Sequence, residues 1–407
     1  MSFLRRATGG VGWYLTFIPY NVAFGILSVL LPLYLVDELR SSLMEVGTMT
    51  SIATAAAIPA SVFLGRLPDR YSRSKPFIMV SLLGVAVVLL LMPLTRSVAV
   101  FELLYIVMNL ANYLYGPSTS VLIAESSERS QWGRGLARQS FAEGMAQAVG
   151  LAICFLGINQ LSYITLLRIT GPLVLASLIL ALVAVHDPPL YVERFLGRFE
   201  RPVTDVEILS FNFERAGTIT PSRRTAKFSR EPNMALFGFG TVFFAFAASN
   251  AFISLPIYLN SSLSTSTVFG IFLVRSLCGT VSYLIVGKAV GSGTTMVKAA
   301  TAIRIVLVLF IPMTLMLPPP LSYVAVTALL STVAFSWSIY SLGGDVVKVS
   351  NAKPGSLGIY DALTSVGSAL GSFVGSWIPL FFGYGTLYAA SSGVFALALI
   401  LFLMSLA

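Results

Sequence analysis

Four ionisable side chains interrupt long apolar stretches of the sequence, and they are the residues best placed to do chemistry. They are Glu143, Arg275, Asp361 and Arg304. A carboxylate among apolar residues can take up a proton or meet a cationic solute, and an arginine can act as counter-charge. We therefore assign coupling roles to Glu143, Arg275 and Asp361. Arg304 lies nearer one end of its stretch, so we expect it to extend toward the polar boundary.

The composition indicates that these stretches lie in lipid. Of 407 residues, 56% are hydrophobic and only 11% are charged, whereas an ordinary soluble domain is roughly 25% charged. The formal charge of +9 is scattered in short clusters between apolar stretches. That distribution is typical of membrane topology signals and argues against a nucleic-acid partner. The bilayer is the expected partner.

Twelve apolar stretches are each long enough to cross a bilayer, which takes ~20 residues. They predict an all-α integral membrane protein. The predicted spans are 13–35, 44–65, 76–94, 99–122, 137–158, 163–185, 235–258, 267–288, 296–317, 321–342, 356–380 and 384–406.

Basic residues concentrate in the loops on one side of these spans. The loops on the other side hold only Arg40 and Arg96, with Arg168 just inside a span. Lys and Arg are retained in the cytoplasm. We therefore expect a multi-pass plasma-membrane protein with both termini in the cytoplasm.

A polar segment divides the chain into two halves. The predicted units are a six-helix bundle at 1–186, a central cytoplasmic loop at 187–233 and a second six-helix bundle at 234–407. Aromatic residues at 191, 195 and 199 recur every four positions, which predicts an amphipathic helix on the membrane surface. A simple tether between the halves is the alternative.

The two halves repeat. Leu31–Leu35 closes span one as Leu255–Leu259 closes span seven. Spans five and eleven align at a similar offset, and each carries small residues every fourth position, which lets helices pack backbone to backbone. The aligned residues are Ala146, Gly150 and Cys154 in span five, and Gly367, Gly371 and Gly375 in span eleven.

The loop after span two carries the most specific motif. It reads GRLPDRYSR over 65–73 and resembles G-x-L-x-D-R-x-G-R-R/K, the signature loop of the major facilitator superfamily. Ser72 stands where the signature has glycine. The matching residues are Gly65, Leu67, Asp69, Arg70 and Arg73. Two six-span halves in parallel repeat are also that family's architecture.

A second match lies around the loop between spans four and five, where Glu125 and Arg134 resemble the family's span-four exit and span-five entry. The resemblance implies a gating role for the signature loop. Asp69 would face the N-terminus of span eleven, and Arg70 or Arg73 would join Glu125 and Arg134 in a switchable cytoplasmic charge latch. A carboxylate at a helix N-terminus gains ~0.3–1 kcal/mol, a contact weak enough to break. The alternative is that the basic residues only orient the chain.

The resemblance also implies where solute binds, because spans one, four, seven and ten line the cavity in this family. Spans five and eight pack together there, so Glu143 and Arg275 would form either a static ion pair or a coupling pair. The polar and aromatic residues on the cavity spans are Asn21, Tyr34, Asn109, Asn112, Tyr113, Asn250, Tyr258, Trp337 and Tyr340.

These observations predict a secondary transporter that moves a small organic solute by alternating access, with protons as the coupling ion. Export of an amphipathic or toxic compound is slightly favoured, proton-coupled uptake of a sugar or organic acid is the close alternative, and a non-transporting sensor is a third. The content of one histidine and two cysteines argues against a metal site and against an enzyme. No nucleotide-binding loop is present. We expect no cofactor and a monomer.

Overall fold

The structure is a computed structural model, and every regular element in its described part is helical. The described residues are 13–64, 74–116, 118–119, 122, 132–185, 233–288, 292–351 and 357–406. The central segment from 186 to 232 and the signature loop at 65–73 lie outside them.

Twelve helices, α1 to α12, follow one another in these ranges, and each overlaps one predicted span. In the first half they are α1 (a 3₁₀ turn Trp13–Phe17 and an α-helix Ile18–Asp37), α2 (Leu43–Leu64), α3 (Lys75–Leu91), α4 (Val98–Asn112), α5 (Trp132–Gly157) and α6 (Tyr163–Ala184). In the second half they are α7 (Met234–Phe252, continued by Leu255–Asn260), α8 (Thr265–Lys288), α9 (Gly293–Leu315), α10 (Leu321–Asn351) and one run, Leu357–Ser405, that Gly383 divides into α11 and α12.

Local sequence explains where several helices begin and end. Ser162 caps α6 by accepting a hydrogen bond from the Thr165 amide, and Asn233 caps α7 in the same way. Both residue types satisfy amides that a helix start leaves free. Gly383 adopts φ 80° and ψ 166°, a conformation open almost only to glycine, and it separates α11 from α12. Within the described residues, nine segments are long and apolar enough to cross a membrane, and α4 is a shorter apolar helix.

The small-residue faces pack as predicted, and they do so equivalently in the two halves. A Cβ added at Gly150 of α5 would overlap the backbone of Val22 and Ile26 in α1. A Cβ at Gly371 of α11 would overlap the backbone of Phe246 in α7. The α1–α5 and α7–α11 pairs therefore approach backbone to backbone, and the predicted repeat has a structural counterpart.

The halves meet along α2 with α11, along α5 with α8, and where Leu255–Asn260 touches α1. This last contact lies on the side of the bundle where α1 ends and α8 begins, called the far side below. The opposite side, where α6 ends and α7 begins, is called the central side. Among the described residues, α4 and α10 make no extended contact with each other.

Candidate functional site

A cavity of about 260 Å³ lies between helices of the two halves. It is lined by apolar residues and by a few hydroxyl and amide groups. Drug-sized ligands occupy pockets of roughly 300–1,000 Å³, so this cavity fits a small solute. Its lining residues are Phe24, Leu27, Ser28, Leu31 and Pro32 of α1, Val46, Met49 and Thr50 of α2, Tyr105, Met108 and Asn109 of α4, and Phe252, Ile253 and Pro256 of the α7 region.

Glu143 lies near the middle of α5 and is held by neutral hydrogen-bond donors. The Tyr115 hydroxyl donates to Glu143 Oε1 at 3.0 Å, and Gln139 Nε2 donates to the same oxygen at 2.7 Å. Both donors are buried. A carboxyl group in this setting can exist with or without its proton, since hydroxyl and amide groups provide hydrogen bonds without fixing its charge.

A second tyrosine extends this network toward α4. The Tyr20 and Tyr115 rings lie 4.8 Å apart, and the Tyr20 hydroxyl donates to Asn112 Oδ1. The Glu143 carboxyl group is thereby linked through two aromatic rings to α1 and α4, which also line the cavity. Glu143 is therefore connected to two of the helices that line the cavity.

Glu143 and Arg275 do not pair in this conformation, although α5 and α8 pack together as expected. Both residues are described, and no ion pair within 4.0 Å joins them. The reason is register. Gly144 packs against Thr280, and Arg275 lies five residues nearer the far side, or ~7.5 Å along the helix.

Arg304 does not extend to the membrane boundary, which corrects the expectation from sequence. It is 2% exposed, and its Nε donates to Ser336 Oγ at 3.1 Å. One terminal amino group, Nη2, donates to the Val333 carbonyl at 3.2 Å. Helix α9 begins at Gly293, which places Arg304 about 16 Å along it, near mid-membrane. This is too deep for the side chain to reach water.

Four aromatic rings surround the Arg304 guanidinium, and they compensate part of its charge. Its central carbon lies 5.2 Å from the ring of Phe244, 6.0 Å from Phe252, 5.2 Å from Trp337 and 5.8 Å from Phe395. The sequence shows that Arg304 is a charged residue inside a span. It does not show which rings surround Arg304, because they come from α7, α10 and α12, which are separate from α9 in sequence.

Arg275 shares one of these rings. Its guanidinium carbon lies 5.6 Å from Phe252 and 5.3 Å from Phe272. Its Nε is buried and has no hydrogen-bond partner. Phe252 therefore lines the cavity and also contacts the guanidinium groups of two second-half arginines.

Of the nine predicted cavity residues, one lines the cavity and the other eight make contacts elsewhere among the described residues. Asn109 lines the cavity, and Trp337 contacts Arg304. Tyr340 stacks on Phe244 with ring centroids 3.5 Å apart, next to the same arginine. Asn112 accepts a hydrogen bond from the Tyr20 hydroxyl. Tyr113 is the next residue and lies at the end of α4.

The remaining four make contacts within their own half. Asn21 donates to the Phe17 carbonyl at 3.1 Å, and Asn250 donates to Ser391 at 2.8 Å. Tyr34 packs against Phe101, and Tyr258 stacks on Tyr384. Asn250, Tyr34 and Tyr258 thus pack against a neighbouring helix, as polar and aromatic residues often do in membrane bundles, whereas the bond from Asn21 stays within α1.

Asp361 occupies a different environment from Glu143. It lies about one turn into α11, its side chain is 71% exposed, and its Oδ1 is 3.5 Å from Lys348 Nζ. Lys348 also pairs with Asp345 at 2.8 Å. The gating and latch residues cannot be placed in the same way, since Gly65, Leu67, Asp69, Arg70, Arg73 and Glu125 lie outside the described residues. Arg134 lies in the first turn of α5, and its side chain is likewise outside them.

Three solved structures with the same fold are of transporters. The chain matches a mutant of the nucleoside transporter NupG at a TM-score of 0.70 and 14% identity, over 97% of this chain and 98% of that one. It matches the human organic anion transporter MFSD10 at 0.63 and 16%, over 98% and 99%. It matches the E. coli xylose transporter XylE, partially occluded and inward open, at 0.66 and 13%, over 98% and 97%.

At these identities the three likenesses show the fold alone. A comparison with curated proteins by sequence finds no match. A family model described as Major Facilitator Superfamily matches residues 13–353, which is most of the chain. Its members are transporters rather than enzymes. The chain is a multi-pass integral membrane protein and belongs to the major facilitator superfamily of secondary transporters.

Proposed function

We propose that this transporter moves a small organic solute by alternating access and couples that movement to protons through Glu143. The observation that carries the proposal is the position of Glu143, about one turn into the apolar span Gln139–Gly157, where Tyr115 and Gln139 are its hydrogen-bond donors within the described residues. An intramembrane carboxylate without a fixed counter-charge marks a proton pathway or a cation site. Protons are the simpler choice, because neutral donors serve the protonated and ionised forms alike.

Alternating access requires that the solute site open to one side at a time. Here the halves are hydrogen-bonded at the far side, where Asn260 donates to Asp37, whereas α4 and α10 make no extended contact with each other among the described residues. This conformation is one end state of the proposed cycle. Breaking the far-side contacts and closing the central side would give the other.

The chemistry of the cavity lining bears on the class of solute, and the direction of transport is proposed with it. The apolar and aromatic lining supports export of an amphipathic compound, which we propose as the primary direction. Proton-coupled uptake is the second candidate, because Ser28, Thr50 and Asn109 offer hydrogen bonds to a polar solute such as a sugar. The sensor hypothesis predicts binding without flux.

Flux in proteoliposomes under an imposed pH gradient tests these alternatives. Antiport predicts that solute accumulates when the lumen is acidic, and symport predicts accumulation when the lumen is alkaline. The panel contains lipophilic cations, sugars and organic acids, with protein-free liposomes as the blank for each. Absence of flux for every solute that binds would favour the sensor.

Glu143→Gln is the decisive variant, and Glu102→Gln on α4 is its matched control. We expect Glu143→Gln to abolish accumulation driven by the pH gradient while exchange of solute down its own gradient persists. Glu102→Gln should keep both activities. If Glu143→Gln accumulates solute as the unmodified protein does, Glu143 is not the coupling group.

The orientation and the latch complete the proposal. We propose a plasma-membrane location with both termini in the cytoplasm, which the basic loops support. The signature-loop residues would then gate the central side, together with Glu125 and Arg134. Protease protection of tags at each terminus in sealed cells measures the orientation, and a tag cleaved from outside would contradict it.

A further inference from the structure

Two arginines of the second half lie against Phe252, which lines the cavity described above. We propose that Arg275 and Arg304 form the binding site for the anionic group of the transported solute, which is therefore an organic anion with an apolar or aromatic body. This proposal rests on the transport function proposed above and names the class of solute for that site.

The charges of the two arginines are not balanced by nearby carboxylates. Within the described residues, the ion pairs closer than 4.0 Å join Lys348 to Asp345 and Asp361, and none involves Arg275 or Arg304. Both arginines lie near the middle of their helices, about 15 Å from the nearer end. Positive charge at this depth is costly unless a partner offsets it. A bound anion would supply that partner.

The two arginines differ in how many of their hydrogen-bond donors already have a partner. Arg304 is fixed, because its Nε and Nη2 donate to Ser336 and Val333. Arg275 is partly exposed, and its buried Nε has no partner. Arg275 therefore has the donors to contact an anion directly, in the forked geometry that suits carboxylate or phosphate. Arg304 adds a second positive charge held in place beside it.

The aromatic surroundings explain why the anion should be organic. Phe252 is shared by both guanidinium groups and also lines the cavity. The ring of Trp337, which is 40% exposed, lies 5.2 Å from the guanidinium carbon of Arg304. A solute whose anionic group faces Arg275 would place its apolar body along these rings and into the cavity. An inorganic anion would leave that surface without a contact.

Binding to the purified full-length protein tests this, by isothermal titration calorimetry without a pH gradient. The probes are benzoate and phenyl phosphate as anions, benzamide as the neutral match, benzylammonium as the cationic match, and inorganic phosphate as an anion without a ring. We expect both aromatic anions to bind about tenfold or more tightly than benzamide and benzylammonium, as hydrogen bonds to a charged group allow. Inorganic phosphate should bind more weakly than phenyl phosphate.

The variants locate the site. Arg275→Gln should weaken binding of the aromatic anions about tenfold or more, and Arg275→Lys should restore part of it. Arg304→Gln should also weaken their binding. Lys298→Gln, which removes a positive charge from α9 nearer the central side, is the matched control and should bind as the unmodified protein does.

Equal affinity for the anionic, neutral and cationic probes would overturn the proposal, and so would absence of anion binding at millimolar concentration. Inorganic phosphate binding as tightly as phenyl phosphate would overturn the organic assignment. If the arginine variants do not fold, the comparison of anionic, neutral and cationic probes on the unmodified protein still tests the proposal. Calorimetry measures binding without a gradient, so its result is independent of the coupling test. Anion binding can be absent while Glu143→Gln still abolishes coupling, and anion binding can be present in a protein that shows no coupling.

Discussion

Asn260, at the far end of α7, donates a hydrogen bond to Asp37, at the far end of α1, over 3.3 Å. Tyr163 of α6 donates to the same carboxylate oxygen at 2.9 Å. Thr265 of α8 in turn donates to Asn260 Oδ1 at 2.9 Å. Asp37 is therefore one of the acceptors that join the two halves at the far side, together with the Phe155 carbonyl, which accepts from Ser266 of α8 at 3.0 Å.

Removal of the Asp37 carboxylate should open the far side. Asp37 is exposed, and exposed charged contacts contribute about 0–1 kcal/mol, so Asp37→Ala should shift the population toward the far-side-open state by about two- to fivefold. Electron–electron distance measurements between spin labels at Glu38→Cys and Ser262→Cys would report the opening as a longer distance. Glu102→Gln provides the control, since it removes a far-side carboxylate that does not join the halves. An unchanged distance distribution in Asp37→Ala would refute the gate.

The Tyr115 hydroxyl should matter for coupling rather than for folding. Tyr115→Phe keeps the ring that packs on Phe17 and Tyr20 but removes a donor to Glu143. We expect flux driven by the pH gradient to fall about tenfold, as loss of one hydrogen bond to a carboxylate allows, with little change in thermal stability. Flux and melting temperature would be measured together. Tyr34→Phe is the matched control on α1, and an equal loss of flux there would contradict a specific role for Tyr115.

The backbone contact between α7 and α11 should tolerate no added carbon at Gly371. A Cβ there would overlap the carbonyl and Cα of Phe246, so Gly371→Val should destabilise the protein by about 1–3 kcal/mol or more. A Cβ at Gly393 of α12 meets nothing within 4 Å. Gly393→Ala should therefore leave stability unchanged or raise it slightly, because alanine favours helix. Melting temperatures in detergent compare the two, and equal values would show that α7 and α11 do not pack this closely.

Asp361 should contribute little to coupling. Its side chain is 71% exposed, and Lys348 has a closer partner in Asp345. Exposed ion pairs contribute about 0–1 kcal/mol, so Asp361→Asn should keep proton-driven flux within about twofold of the unmodified protein. A loss of flux equal to that of Glu143→Gln would instead make Asp361 part of the proton pathway, as the sequence alone allows.

The spans, their order and the repeat of the two halves were predictable from sequence. Each span depends on ~20 contiguous apolar residues partitioning into lipid, which is a local property. The glycines spaced by four in α5 and α11 also indicated close packing, since only small residues allow backbones to meet. Each helix of the structure accordingly overlaps a predicted span.

The partners of the charged residues were decided only by the tertiary structure. Glu143 and Arg275 lie on neighbouring helices as expected, but the register of α5 against α8 separates them, and no local pattern encodes that offset. The sequence predicts that Arg304 reaches the lipid boundary. In the structure its guanidinium is instead surrounded by the rings of Phe244, Phe252, Trp337 and Phe395. Partitioning into lipid is set by neighbours in sequence, whereas charge pairing depends on the rotation and axial shift of helices far apart in the chain.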